Sequence, residues 1–264
     1  FKDVKVFYQQ ENLGPLANSA FLKKEAYKSH EAFIYTEDDN VFSKDFLEYM
    51  NTCLEKYKND DSVFSINGYA MPIKWQHKEG MIKHNLNFSA WGYACWNKKY
   101  DERLTFDGQE IIRYLKKFSN AKKFCKVNGN FFANAIEIAR GTHYLAYDKE
   151  KKLIYIDTVI CILMHIRNQY VVAPLISKVR NNGHDGSGQN CVSADTSKNN
   201  NPDTNTYDYE KQELSTKDSF VYENETVYDA DYAYEKAMRE FFPEKKINMI
   251  KAWIKWFIYI KLHK

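Results

Sequence analysis

The feature that most constrains the fold is a short apolar run that ends in three consecutive carboxylates. Phe33-Ile34-Tyr35-Thr36 is rich in β-forming residues, which predicts a buried strand. Glu37, Asp38 and Asp39 follow directly, and ionised carboxylates held this close repel one another unless a positive charge lies among them. Because ligands of α/β sheets bind beyond the carboxyl ends of the strands, we expect a cation there. The alternative is a solvated acidic turn that leads into the next helix.

A hard divalent cation with oxygen ligands suits such a cluster. Mg²⁺ and Mn²⁺ bind carboxylate oxygens and leave coordination positions for water and for the phosphates of a substrate. We therefore expect Mn²⁺ or Mg²⁺ as the cofactor.

Segments with strand composition alternate with segments of helical periodicity, which predicts an α/β fold with a mixed sheet flanked by helices. Val4–Tyr8 is predicted as a first strand, joined through a helix over 16–29 to a parallel acidic strand. The next helix is predicted to open after the acids with Ser43 as its N-cap. Further strands are predicted at 63–69 and 170–174, and further helices at 107–118, 130–140, 157–167, 231–242 and 245–264. A loop or hairpin is predicted at 71–88, a loop at 181–188 and a polar, mobile surface segment at 195–226.

Composition excludes several classes of protein. A net charge of +3 over 264 residues, without a concentrated basic stripe, argues against a nucleic-acid partner. The five cysteines are scattered and form no Cys-x-x-Cys pair, which indicates free thiols in a reducing compartment. No signal peptide is visible, and no apolar run reaches the roughly 20 residues of a membrane span. We expect a cytoplasmic protein.

The C-terminal segment, 245–264, has the pattern of an amphipathic helix. Lysines lie opposite the apolar face, which suits a helix at a membrane surface. Docking on the domain itself, or on a second copy, is the alternative. The predicted apolar face consists of Met249, Ile250, Trp253, Trp256, Phe257 and Ile260.

Several motifs, taken in order, resemble nucleotide-sugar-dependent glycosyltransferases of the GT-A fold, in particular bacterial family-two-like enzymes that build capsule or lipopolysaccharide. The acidic and aromatic segments are also similar to N-acetylglucosaminyltransferase I. The segments that carry the resemblance are Asn12-Leu13-Gly14, Tyr35-Thr36-Glu37-Asp38-Asp39, Phe46-Leu47-Glu48-Tyr49-Met50, Val63-Phe64-Ser65-Ile66-Asn67-Gly68-Tyr69, Trp91-Gly92-Tyr93-Ala94-Cys95-Trp96, Ile156-Asp157-Thr158 and Asn182-Gly183-His184-Asp185-Gly186-Ser187-Gly188.

The resemblance implies an inverting, metal-dependent transfer of a sugar from a nucleotide diphosphate donor, with a UDP-sugar expected, to a glycan or lipid-linked acceptor. It implies a GT-A domain over 1–242 that lacks the family's N-terminal strand-helix portion, either because the front was trimmed or because the chain is a fragment that cannot hold the donor properly, and then the amphipathic helix over 245–264. A membrane-surface contact through that helix would suit a lipid-linked acceptor.

The same resemblance assigns roles to the acidic motif and to the segment before the first helix. Asp39 is implied to bind the metal directly, and Asp38 to hold the metal or the donor's ribose. Glu37, Asn12 and Gly14 are implied to contact the donor nucleotide.

The later motifs are implied to serve the reaction and the sugar. Asp157 is the implied general base, although Thr158-Val159 follows it where the family usually has Ser-Trp; its alternative role is a helix N-cap. Trp91, Tyr93 and Trp96 are implied to wall the sugar pocket, unless they belong to the core, and Gly92 is implied to let the backbone come close to a ligand. His184 and Asp185 are implied to lie in a loop over donor and acceptor, or in a surface turn.

Two other functions remain open from the sequence. One is a non-catalytic carbohydrate-binding or scaffold protein that retains the fold. The other is a metal-dependent nucleotidyl- or phosphotransferase. His165, within an apolar helical segment, is predicted to be a buried, hydrogen-bonded histidine rather than a ligand.

Overall fold

The computed structural model describes residues 3–102, 107–140, 156–183 and 211–262. It contains a mixed six-stranded sheet flanked by helices, which confirms the α/β expectation. The sheet is formed by β1 (Ala32–Tyr35), β3 (Val63–Asn67), β4 (Met81–His84), β5 (Tyr93–Trp96), β6 (Tyr170–Pro174) and β8 (Val227–Asp229), in the order β1-β5-β3-β6-β4-β8. A separate antiparallel pair is formed by β2 (Asn40–Phe42) and β7 (Val179–Asn181).

The described helices lie between these strands and at the C-terminal end. They are α1 (Gly14–Tyr27), α2 (Phe46–Tyr57), α3 (Asn97–Glu102), α4 (Gly108–Lys116), α5 (Phe118–Val127), α6 (Gly129–Ala139), α7 (Ile156–Arg167), α8 (Tyr232–Phe241) and α9 (Lys246–Trp256), which continues as a π-helical turn over Phe257–Lys261. Among the described residues, none of these helices combines the length and the apolarity of a membrane span.

The strands β1, β3 and β6 run in the same direction, so their carboxyl ends lie at the same edge of the sheet. β5 is antiparallel to both β1 and β3, and β3 is parallel to β6. The carboxyl ends of β1, β3 and β6 therefore lie at the same edge, and β5 begins there. This edge receives the acidic turn after β1, Gly68-Tyr69 after β3, and Trp91-Gly92 before β5.

The sheet separates two hydrophobic layers, because neighbouring residues of a strand point to opposite faces. Phe33 and Phe64 face a large cluster formed with α4, α5, α6, α7 and α9. Ile34 and Ile66 face the smaller cluster formed with α2 and Phe220. The helices therefore cover both faces of the sheet.

The α2 helix forms as its periodicity predicts, with Phe46, Tyr49, Met50, Cys53 and Tyr57 buried. The prediction of Ser43 as its N-cap is wrong, because Asp45 occupies that position. Asp45 instead accepts hydrogen bonds from the Ser43 hydroxyl (2.7 Å) and from the Lys178 ammonium (2.5 Å). Burial raises the pKa of Asp45, but the hydrogen bonds from Lys178 and Ser43 outweigh it and lower the pKa below its usual value.

Several strand and loop predictions are wrong. Val4–Tyr8 forms no strand and is exposed, so the parallel crossover to β1 does not exist within the described residues. The acidic turn leads into β2 rather than directly into a helix, the segment 71–88 contains β4, and α5 was missed. In the described part of 195–226, Gln212, Ser215 and Phe220 are buried against the domain.

The C-terminal helix docks on the domain through most of its predicted apolar face. Ala252, Trp256 and Ile260 are buried, and Met249 and Trp253 pack against the same cluster. The Trp256 indole N–H donates to the backbone oxygen of Leu115 at 2.8 Å. The outward stripe is also apolar and includes Ile247, Ile250, Ile254, Phe257 and Ile258.

Candidate functional site

The three acids occupy a tight turn between the six-stranded sheet and the β2–β7 pair. The turn is closed by the Asn40 N–H, which donates to the backbone oxygen of Glu37 at 3.3 Å. Asp38 is exposed, whereas Glu37 and Asp39 are half-buried. The turn at the carboxyl edge therefore presents two partly buried carboxylates, Glu37 and Asp39, beside the exposed Asp38.

Asp39 is held by the segment that follows β7. The Asn182 N–H donates to the backbone oxygen of Asp39 at 2.9 Å, continuing the pairing of β2 with β7. Gly183 lies so close that a methyl group there would overlap Asp39 Oδ2. The other carboxylate oxygen, Oδ1, is buried and has no hydrogen-bond partner within the described residues.

The pKa of Glu37 indicates that it interacts electrostatically with three other acids. Burial raises the pKa of Glu37, and the carboxylates of Asp39, Asp157 and Asp38 raise it further, in that order. The Tyr35 hydroxyl donates a hydrogen bond to Glu37, and this bond lowers the pKa of Glu37 and offsets part of the increase. Asp157, far away in the sequence, is thereby brought to the acidic turn by α7.

The aromatic motif lies at the same edge, but its residues have different surroundings. The Trp91 ring makes an edge contact with Tyr69 at 4.8 Å between centroids. Gly92 has a φ of +59°, and its oxygen accepts from the Gly68 N–H at 2.7 Å. Tyr93 is buried in the core, where its ring contacts Phe33.

A cavity of about 900 Å³ is connected to the acids through Asp157, which lines it together with Trp91 and Tyr69. Glu37, Asp38 and Asp39 are not among its described lining residues. The remaining wall is built largely from apolar side chains of α5, α8, α9 and the segment before β5. A volume of this size, with a few polar groups, is typical of ligand sites.

The other predicted site residues are less connected. Asn12 Oδ1 accepts from the Gly14 N–H at 2.8 Å, so both residues help to start α1, and Gly14 has a φ of +73°. Their predicted donor contact stays a prediction. His184 and Asp185 lie outside the described residues.

Three residues have notable contacts in the structure although the sequence arguments did not single them out as site residues. Tyr69 lines the cavity, Gly183 contacts Asp39, and Lys178 pairs with Asp45. Tyr69 and Gly183 were quoted within motifs, and the only signal for them was their position after predicted strands. Lys178 carries no sequence signal, because a buried lysine paired with a distant aspartate cannot be recognised from local pattern.

The prediction for His165 is confirmed. It is buried, and its Nε2 lies 3.0 Å from the Asn128 side-chain nitrogen. Burial lowers the pKa of His165 to about 4. Four cysteines, Cys53, Cys95, Cys125 and Cys161, are free thiols as predicted, and all four are buried.

The acidic turn fits a metal that takes few protein ligands. No group of three or more His, Cys, Asp or Glu side chains has the arrangement of a metal site within the described ranges. However, Mg²⁺ is commonly bound through one or two carboxylates together with substrate phosphates and water. The buried, unpartnered Oδ1 of Asp39 provides a ligand of that kind.

No protein-family model and no curated protein matches this chain. The candidate site is therefore described from the structure alone: the carboxylates of Asp39, Asp157 and Asp38 act electrostatically on Glu37, and Asp157 and Trp91 belong to the wall of the same cavity.

Proposed function

We propose that this protein is a metal-dependent, inverting glycosyltransferase of the GT-A fold. It moves a sugar from a nucleotide diphosphate donor, expected to be a UDP-sugar, to a hydroxyl of a glycan or lipid-linked acceptor in surface polysaccharide synthesis. The observation that carries the proposal is the buried Asp39 Oδ1, which has no hydrogen-bond partner within the described residues. It belongs to an acidic turn whose Glu37 is also influenced by the carboxylate of Asp157, a residue of the cavity wall. Such an oxygen is costly unless a cation compensates it.

The acidic turn serves the donor. Asp39 and Asp38 hold Mn²⁺ or Mg²⁺, and Glu37 orients the nucleotide. When bound, the cation supplies positive charge to the donor diphosphate and to the charge that develops on the leaving group. The absence of a side chain at Gly183 leaves room for the observed position of the Asp39 carboxylate, because a methyl group there would overlap Oδ2.

Asp157 serves the acceptor. It stands in the first turn of α7, exposed on the cavity wall, where an acceptor hydroxyl can approach it. As general base it takes the proton of that hydroxyl while the oxygen attacks the anomeric carbon and the bond to the diphosphate breaks.

The aromatic motif serves the sugar. Trp91 offers a ring face at the site, and an aromatic face pairs well with the apolar C–H surface of a sugar. The predicted approach of a ligand to Gly92 is not supported, because Gly92 is buried and the space beside its Cα is taken by Phe46 and Val179. Tyr93 holds β5 in the core. His184 and Asp185 are expected to cover donor and acceptor.

The proposed setting is the cytoplasmic face of a membrane, without a nucleic-acid partner. The outward stripe of α9, which includes Ile250 and Ile254, would lie on the lipid surface. Co-sedimentation with anionic vesicles tests this point: the double variant Ile250→Glu with Ile254→Glu should stay in the supernatant.

The decisive experiment measures UDP binding by calorimetry, and UDP-sugar turnover, with and without Mn²⁺. Asp39→Asn should remove the Mn²⁺-dependent part of both. Asp61→Asn is the matched control, since Asp61 is an exposed acid before β3, at the opposite edge of the sheet.

Three results would contradict the proposal. Equal turnover by Asp39→Asn would exclude the metal role. Sugar binding without any turnover, unchanged in Asp39→Asn, would favour a non-catalytic carbohydrate-binding protein. Release of a nucleoside monophosphate instead of a diphosphate would indicate a nucleotidyl- or phosphotransferase.

A further inference from the structure

The large cavity beside Asp157 has a wall that the acidic site does not explain. Away from the acids, its lining is dominated by apolar side chains, including Met71, Phe88, Met238, Phe242 and Met249. A nucleotide or a sugar would leave these groups facing polar atoms. The lining instead matches an apolar ligand, and methionines adapt to flexible apolar chains because their own side chains are unbranched.

Cationic groups also belong to the cavity wall. Lys122, on α5, is exposed. Lys126 Nζ lies 3.4 Å from Glu235 Oε2, and Arg239 Nη1 lies 3.7 Å from the same oxygen. Arg239 Nη1 is buried without a hydrogen-bond partner in the part of the chain that the structure describes. The wall itself carries two carboxylates, Asp157 and Glu244, and Glu235 behind it compensates part of the charge of Lys126 and Arg239. A ligand that combines an apolar chain with an anionic group would match both features.

The cavity wall is continuous with an exposed apolar surface. Phe118 lines the cavity although it is 56% exposed, and its ring lies 5.8 Å from that of Trp253, which also lines it. On the same helix as Trp253, Ile250 and Ile254 are exposed. Exposed apolar side chains of α9 therefore stand on the same helix as Trp253, which lines the cavity beside the exposed Phe118.

We propose that this cavity binds the hydrocarbon chain of an anionic, phosphate-bearing amphiphile drawn from a lipid surface. The phosphate is held by Lys122, Lys126 and Arg239, and the chain lies among the methionine and phenylalanine side chains. The inference deepens the proposed function, on which it rests in one respect: the bound amphiphile would be the acceptor that presents its hydroxyl to Asp157.

Direct binding of alkyl phosphates tests the inference without donor or metal. Decyl, dodecyl and tetradecyl phosphate are titrated below their micellar concentrations, and binding is followed by calorimetry and by the fluorescence of Trp91 and Trp253. Affinity should rise about fourfold for each added methylene, since burying a CH₂ contributes about 0.8 kcal/mol. Dodecyltrimethylammonium, which reverses the head-group charge, should bind at least tenfold more weakly than dodecyl phosphate.

Three variants locate the site. Ala90→Trp fills part of the cavity and should weaken the binding of dodecyl phosphate at least tenfold. Phe118→Glu places a negative charge at the exposed edge of the cavity and should weaken this binding by a similar factor. A carboxylate at the first residue of α5 suits a helix N-terminus, so Phe118→Glu should fold. Lys122→Glu should weaken the binding of alkyl phosphates but should leave the binding of dodecanol unchanged.

Each variant has a matched control. Leu47→Glu places the same charge at another exposed apolar position, and Lys98→Glu reverses an exposed lysine elsewhere. Both controls should bind dodecyl phosphate as the wild type does.

The outcomes separate this inference from the proposed function. Chain-length-dependent binding that Ala90→Trp abolishes supports the inference, even if no sugar transfer is found. Affinity that does not depend on chain length, or equal losses in Leu47→Glu and Phe118→Glu, would overturn it. Efficient transfer to soluble glycans without any binding of alkyl phosphates would also overturn it while leaving the glycosyltransferase intact.

Discussion

Gly183 lies against the carboxylate of Asp39 so closely that no side chain fits between them. Residues that are far apart in the sequence thus meet through the pairing of β2 with β7, which places the Asn182 N–H on the backbone oxygen of Asp39. The position of the proposed metal ligand is therefore set by a backbone that approaches from another part of the chain.

Replacing Gly183 with alanine should displace the Asp39 carboxylate. The added methyl overlaps Oδ2, so the carboxylate must rotate, and Mn²⁺-dependent UDP binding should weaken by about 10- to 100-fold, the usual effect of disturbing a group that orients a metal ligand. Calorimetric titration measures this. Gly129→Ala is the control, because its methyl would meet its nearest neighbours only at 3.5 Å or more. Equal affinities in the two variants would show that Gly183 does not position Asp39.

Replacing Lys178 with methionine should destabilise the fold by about 3–5 kcal/mol. The ammonium forms a buried ion pair with Asp45, and removing it leaves the carboxylate buried without its counter-charge. Urea unfolding measures the loss. Lys44→Met, which breaks the exposed pair of Lys44 with Asp218, should cost less than about 1 kcal/mol.

A double variant checks the cause. Lys178→Met combined with Asp45→Asn should recover part of the stability, because the unpaired charge is gone. No recovery would mean that Lys178 acts through its packing against Tyr49 and Phe220 instead.

Replacing Glu37 with glutamine should stabilise the protein at neutral pH. The folded-state pKa of Glu37 is raised above its ordinary value, first by burial and then by Asp39, Asp157 and Asp38. Between the unfolded and folded pKa values the folded state binds more protons, so stability falls as the pH rises through that window. Glu37→Gln removes this loss, and its melting temperature should exceed that of the wild type at pH 7 but not below pH 4.

Two controls accompany the melting experiments. Glu31→Gln, at an exposed position before β1, should show no such difference between pH 4 and pH 7. Added Mn²⁺ should raise the melting temperature of the wild type and narrow its gap to Glu37→Gln. A wild type as stable as Glu37→Gln at pH 7 without metal would show that the carboxylates do not repel one another.

Replacing Trp256 with alanine should cost about 3–5 kcal/mol in the free energy of unfolding. The indole is buried against the helical layer and donates to Leu115, so its loss leaves a void and an unpaired carbonyl. Ile254→Ala, on the outward side of the same helix, should change stability by no more than about 0.5 kcal/mol. Similar losses for both would mean that the outward stripe is also covered.

Local pattern was sufficient for elements whose burial follows from their own periodicity. The apolar spacing of α2 and the β-forming composition of β1, β3 and β6 predicted elements close to those observed. Val4–Tyr8 has similar composition, but it pairs with no strand in the described part of the chain, and a strand is stable only when its backbone groups are paired. Composition cannot supply that partner, which is why this prediction failed.

The sequence by itself determined the α/β class, the main helices and the clustering of three acids at a strand's end, because these depend on residues near one another in the chain. Only the tertiary structure decided that Asp157 joins those acids, that Gly183 adjoins Asp39, and that Trp256 docks inward while Ile254 faces outward. The physical reason is that strand order and helix docking depend on contacts between residues distant in sequence, and periodicity shows which side of an element is apolar but not what covers it.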